Sequence, residues 1–198
     1  MNLALKRQSR KNRTVAHRLT TSYLQDSTDL FRYYKKLAER AIEQCPDQGL
    51  FAVLDQESNS IAIIVKHMAG NMRSRWTDFL TTDGEKSDRM RDSEFEESPK
   101  ARVELLAMWE EGWKCLFNAL EGMIEPDMHR TITIRGEAHS VMQAINRQVA
   151  HYSNHIGQIT FLAKHFAAEA GTWSALTVPR RQSMAFSADV RAGRKSQR

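Results

Sequence analysis

Cysteine is scarce in this chain of 198 residues: Cys45 and Cys115 stand far apart, without the paired spacing of a metal ribbon. That excludes a disulfide framework and leaves two free, partly buried thiols as the expectation. Long hydrophobic runs are missing as well. No apolar stretch approaches the ~20 residues that span a bilayer, and the basic N-terminus has no apolar core of the kind a secretory signal needs. A membrane is therefore not expected as a partner, and the expected location is cytoplasmic. Strand-like sequence is almost absent. Thr131-Ile132-Thr133-Ile134-Arg135 alternates and is β-branched, but one strand alone does not make a sheet.

What is present is enough for one core. With 41% hydrophobic residues the length fits a single globular domain with extensions. The net charge of +5 suggests nucleic acid until its distribution is considered: residues 1–18 carry +6 with no acid, and residues 180–198 carry +5, which leaves about −6 for the body. Three regions follow: a basic, disordered N-terminal extension over 1–18, a helical domain over 19–179, and a basic C-terminal tail over 180–198. Such hydrophobe-poor ends read as solvated tails, so nucleic acid is not expected as a partner. A transit peptide would also be Arg-rich and acid-free, but residues 1–18 are short and have no clear apolar face.

Within the body the spacing of apolar residues is helical. Tyr23/Leu24, Leu30/Phe31, Tyr34, Leu37/Ala38 and Ala41/Ile42 predict a first helix over about 20–44, closed by Pro46. A second begins at a Ser58 or Asn59 cap and runs through Ile61, Ile64/Val65, Met68, Met72 and Trp76 to about Leu80. Residues 81–97 are crowded with charge and lack a period, which predicts a long surface connection. Ser98-Pro99 reads as the start of a third helix, marked by Val103, Leu106, Trp109, Trp113, Phe117 and Leu120 and ending near Gly122 and Pro126. The fourth spans about 138–168, with Val141, Ala144/Ile145, Gln148, His151/Tyr152, His155, Ile159, Leu162 and Phe166 on one stripe and Gly171 at its end. Four long helices with one apolar face each pack most simply as a bundle.

The chemistry-bearing feature is the pair His151 and His155. Residues four apart stack on one helix face, so both imidazoles can point at one metal ion, and His67 on the second helix is the candidate third ligand. Both rings replace hydrophobes on the core stripe, where an unpartnered polar ring costs roughly 1–3 kcal/mol. A metal would supply the partner, although satisfied core histidines or exposed ones would also account for the pair.

The order of several motifs resembles the DinB/YfiT-like superfamily of bacterial metal-binding four-helix bundles, in particular a branch catalogued as a domain of unknown function. The residues that carry the resemblance are the run Ser58 to Met72, Ser74-Arg75-Trp76 with Asp83-Gly84-Glu85-Lys86, Ile134-Arg135-Gly136-Glu137, and His151 to Gln158. It covers roughly residues 20–185. It implies an all-α, DinB-like four-helix bundle with a long loop between the second and third helices and flexible basic termini. It also implies one divalent metal held by His67, His151 and His155, and a homodimer. After Asp83-Gly84-Glu85-Lys86 the family pattern tends to continue Pro-Trp-Arg-Asn-Arg, whereas this chain reads Ser87-Asp88-Arg89-Met90-Arg91.

In characterised superfamily relatives the bundle supports low-molecular-weight thiol transfer and maleylpyruvate isomerisation, so the resemblance implies a metal-dependent transferase or hydrolase acting on a small-molecule substrate. Three imidazoles suit zinc, nickel, iron or manganese, and no fourth ligand is evident in the sequence, which favours an open coordination position. No residue reads as a convincing general base. Asn71 and Gln148, each one turn from a candidate ligand, are candidates to orient ligands or substrate, or else to serve ordinary packing. His139 and His165 are expected to face solvent or cap helix ends, and Trp76, Trp109 and Trp113 to fill the core. Arg75, Arg89 and Arg91 suggest an anion clamp, with a solvated, acid-balanced loop as the plainer expectation. The competing class is a non-catalytic, stress-linked binding or structural protein in which a metal only ties helices together, or a dimer whose basic tails touch nucleic acid.

Overall fold

The structure, a computed structural model, describes residues 19–196. The extension expected over 1–18 lies outside the described residues. The described chain is mostly helical, with one two-stranded sheet. In order it forms α1 (Tyr23–Gln44), α2 (Asp47–Phe51), α3 (Ile61–Trp76), α4 (Ser93–Glu96), α5 (Arg102–Glu121), a 3-10 turn (Glu125–His129), β1 (Thr131–Ile134), β2 (Glu137–Ser140), α6 (Val141–Glu169) and α7 (Ser183–Arg191). Two compact units result. One spans Ser22–Ser174, and the other joins residues 19–21 to 175–196.

The helix starts follow from side-chain caps. The Ser22 hydroxyl accepts from the Gln25 N–H at 2.9 Å, and Ser60 does the same for Ile63 at 3.2 Å, so α3 is capped just after the expected Ser58 or Asn59. Ser140 and Gln143 close a reciprocal capping box at the head of α6. Ser98-Pro99 does not begin α5, which starts at Arg102 behind an Ala101 that offers no side-chain bond. The second helix stops at Trp76 rather than near Leu80, and the chain turns at Asp78, whose φ is +47°. α2 was not legible as a helix in the sequence, being a single turn between Pro46 and a loop.

α3 is buried along most of its length and packs against α5 and α6, while α1 packs against α6 and α5. Gly112 allows α5 to approach, since a Cβ there would lie 2.9 Å from the Ala69 Cα. Each long helix contributes one aromatic ring to the centre: Phe31, Trp76, Trp113 and Tyr152, all at most 2% exposed. Phe31 meets Trp76 at 6.1 Å, Trp113 at 6.5 Å and Tyr152 at 5.8 Å between centroids. Each such pair adds roughly 0.5–1.5 kcal/mol beyond burial. Trp109 is likewise buried, so the three tryptophans of the sequence pattern are core residues. Cys45 and Cys115 are free, and burial pushes the Cys45 thiol up to about 11.

The extended segment expected at 131–135 finds a partner in β2. Ile132 pairs with His139 and Ile134 with Glu137 across an antiparallel hairpin, so His139 belongs to a strand rather than to the head of α6. The turn places both Arg135 (φ +56°) and Gly136 (φ +76°) in the left-handed region. Asp83 holds that turn from outside: its carboxylate accepts from the backbone N–H groups of Arg135 and Gly136, each at 2.8 Å, and from Glu85 at 2.7 Å. The Gly84 N–H donates to the Thr133 carbonyl at 2.8 Å. The Asp83-Gly84-Glu85-Lys86 motif therefore stitches the loop after α3 to the hairpin before α6.

In the second unit α7 forms where the sequence suggested only a tail. None of its residues is buried. Asp189 gathers Arg194 at 2.8 Å and Lys195 at 3.0 Å just beyond its end.

Candidate metal centre

His67 sits near the middle of α3, and His151 and His155 lie one turn apart on α6. The packing of α3 on α6 brings the three rings together. His151 Nε2 lies 3.0 Å from His155 Nε2 and 3.3 Å from His67 Nε2, and one ligand atom from each ring falls within 4.8 Å of the others. His67 is buried and the other two half-buried. The three residues singled out by spacing and by resemblance are thus adjacent in space, and together they could hold a metal ion.

Two of the three outward nitrogens are occupied. His67 Nδ1 meets the Glu94 carboxylate at 2.8 Å, and His155 Nδ1 meets Gln158 Oε1 at 2.8 Å. A carboxylate and an amide oxygen can only accept, so both Nδ1 atoms carry a proton, and in the neutral rings both Nε2 atoms present lone pairs inward. His151 Nε2 faces those two lone pairs and has at most one proton to give. Burial, followed by the proximity of His155, pushes His151 down to about 3, and burial also lowers His155. Protonation of His151 or His155 to an imidazolium is therefore not the way these two rings are satisfied near neutral pH. One cation at the centre would satisfy all three nitrogens, which match the donor set of an imidazole-ligated divalent ion.

Glu94 is the functional residue that sequence reasoning missed. Residues 81–97 were expected to be a surface connection, but α4 turns Glu94 inward to 6% exposure. Lys66, next to His67, latches the segment down, donating to the carbonyls of Ser93 at 2.6 Å and Glu97 at 2.7 Å. Gly70 makes the room, for a Cβ there would lie 2.3 Å from Glu94 Oε1. Arg89 then grips the carboxylate with two bonds, Nε to Oε1 at 2.8 Å and Nη2 to Oε2 at 2.9 Å. These contacts hold the Glu94 carboxyl below the ordinary glutamate range despite its burial. Phe95 covers the His67 ring at 4.7 Å between centroids. No local spacing links residue 94 to residue 67, whereas Gln158, three residues past His155, was within reach of a helical pattern.

The arginines divide. Arg75 and Arg89 have side chains only 5% exposed and are held by acids, Arg75 by Glu85 at 2.7 Å and Arg89 by Glu94 and Glu85, so they are acid-balanced as expected but not solvated. Arg91 is exposed and lies over the Phe95 ring at 5.2 Å. Asn71 Oδ1 accepts from the Tyr152 hydroxyl at 3.0 Å, and that oxygen accepts from Trp76 Nε1 at 3.0 Å, so Asn71 serves the core beneath the histidines. Gln148 is 3% exposed, and its Oε1 has no hydrogen-bond partner among the described residues. Beside the histidines lies a cavity of about 350 Å³ whose walls include His67, His151, Asn71 and Gln148. His165 stays apart from the cluster, 3.5 Å from Glu169.

A family model described as protein of unknown function (DUF1572) matches residues 18–182, and the chain belongs to that family. No curated protein matches it.

Proposed function

We propose that this member of the DUF1572 family is a metal-dependent enzyme of the DinB/YfiT-like four-helix type, in which His67, His151 and His155 hold one divalent ion and the reaction is a transfer or hydrolysis on a small molecule. The observation that carries this reading is the proton count at the three Nε2 atoms: two are lone pairs by virtue of Glu94 and Gln158, and the third cannot satisfy both. A divalent ion in that position supplies Lewis-acid chemistry, activating water or a thiol.

The chain's own residues prepare the site. Glu94 keeps the His67 proton on Nδ1 and makes Nε2 a better donor, while Arg89 keeps the carboxylate ionised and aimed. Burial keeps His151 uncharged. Among the described residues no fourth His, Cys, Asp or Glu joins the group, which supports an open position rather than a closed structural site. His67 and His151 both border the cavity, which gives a substrate access to that position. Among the described residues no Asp or Glu lines the cavity.

Elemental mass spectrometry of the purified chain tests this reading, with His67→Ala and His151→Ala beside it. About one divalent ion per chain, lost in both variants, is the expected result, and its identity then sets the metal used to screen thiol and hydrolytic substrates. A wild-type protein that takes up no divalent ion after reconstitution at neutral pH would remove the proposal.

A further inference from the structure

We propose that the cavity beside His67 and His151 binds a small carboxylate- or phosphate-bearing molecule, with Arg147 and Arg135 as the residues that hold its anionic group. The inference rests on the functional reading above for its place next to the metal, and it names the class of substrate.

The wall of this cavity is unusual for an acidic body. Among the described residues it consists, besides Asn71, Gln148 and two of the histidines, of five arginines and no acid. Two of these guanidinium groups are already committed: Arg75 and Arg89 are buried against Glu85 and Glu94. They set a positive potential but have little donor capacity left, apart from Arg75 Nε, which is buried with no hydrogen-bond partner among the described residues. Arg135 sits on the hairpin turn, exposed, with Glu85 at 3.4 Å. Arg147 lies one turn before His151 on α6, exposed, and no acid pairs with it among the described residues. A concave, low-dielectric wall of one sign focuses its field and concentrates the opposite charge. Guanidinium groups are also the side chains best shaped to take a carboxylate or phosphate with two bonds.

Gln148 gives a second, independent sign of a ligand. It is 3% exposed, it lines the cavity, and its Oε1 lacks a donor. Buried amide oxygens are rarely left so, and an O–H, N–H or S–H of a bound molecule would supply what is missing. The volume of about 350 Å³ suits a metabolite rather than a polymer.

Isothermal titration of the full chain at fixed ionic strength, metal-loaded and metal-free, tests the inference with two probes, inorganic phosphate and L-malate. Saturable binding is expected for at least one probe, weakened about tenfold in Arg147→Ala and further in Arg147→Glu, with metal content unchanged in both. Lys114→Ala, an exposed cation on α5, should bind as wild type. Stronger phosphate binding would identify a phosphorylated substrate, and stronger malate binding a carboxylate. Full metal content with no saturable binding of either probe, or Arg147→Ala and Arg147→Glu variants that bind as wild type, would overturn the inference while leaving the metal reading in place. A chain that holds no metal yet binds anions in an Arg147-dependent way would do the reverse.

Discussion

Two polar clusters join α3 to α6 less than two turns apart, and they are built on opposite principles. In the lower one, Trp76 donates to Tyr152 and Tyr152 donates to Asn71, so the indole N–H and the phenol O–H both find acceptors within the protein. In the upper one, the Nε2 atoms of His67, His151 and His155 face one another, and the proposed cation would complete them. The neighbouring positions Asn71 and His67 on α3, and Tyr152 and His151 on α6, thus divide labour: one pair fixes the helices, the other exploits their fixed spacing. Stability and ligand binding should respond to different substitutions even though the residues adjoin.

The sharpest test removes an inward nitrogen. His151→Ala should weaken divalent metal binding at least about 100-fold, yet leave the melting temperature of the metal-free protein unchanged or raised, because it relieves a crowd of unprotonated nitrogens. Competitive chelator titration and calorimetry read the two effects separately. Glu94→Gln keeps the shape but removes the carboxylate that fixes the His67 tautomer, and metal affinity should fall about 10- to 100-fold by the same titration.

The lower cluster should show the opposite pattern. Tyr152→Phe strands the Trp76 N–H and the Asn71 oxygen in a dry core, which costs about 1–3 kcal/mol in urea unfolding, with metal content at the wild-type level. If that variant lost metal as readily as the histidine variants, the division between the two clusters would collapse. The smallest effect belongs to the loop clamp. Backbone N–H groups of Glu85 and then Gly136 hold the Asp83 carboxyl well below the ordinary carboxylate range. Its contribution is therefore complete above the unfolded-state value of about 3.9 and is lost as the pH falls below it. Asp83→Ala should cost about 1 kcal/mol at pH 7, since water can replace part of the clamp, and the gap between variant and wild type should narrow below about pH 4.

How much of this was legible in the sequence depends on the range of the interaction. The long helices and their apolar stripes were readable because 3.6-residue periodicity is local, and Gly171, with φ +70°, marks the end of α6 as expected. His151 and His155 were readable for the same reason. His67 was a candidate from its place in the middle of the second helix and gained support from the order of motifs, because nothing in its own neighbourhood announces a ligand. Glu94 was invisible: its inward turn depends on Lys66, Gly70 and Arg89 acting together, and in one dimension it is one acid among many in a charged stretch. The hairpin partner β2 was missed because Glu137-Ala138-His139-Ser140 has no β-rich composition; it pairs because Asp83 holds the turn.

Gly70 turns this into a practical point for anyone redesigning the protein. Helix propensity alone would recommend alanine there, a gain of about 1 kcal/mol, and every histidine would survive the exchange. The added methyl would nevertheless occupy the space of the Glu94 carboxylate, displacing the group that aims His67 and the partner that anchors Arg89. In this fold an absent side chain is a working component, and a Gly70→Ala change chosen for helix stability would displace Glu94 without touching any of the three histidines.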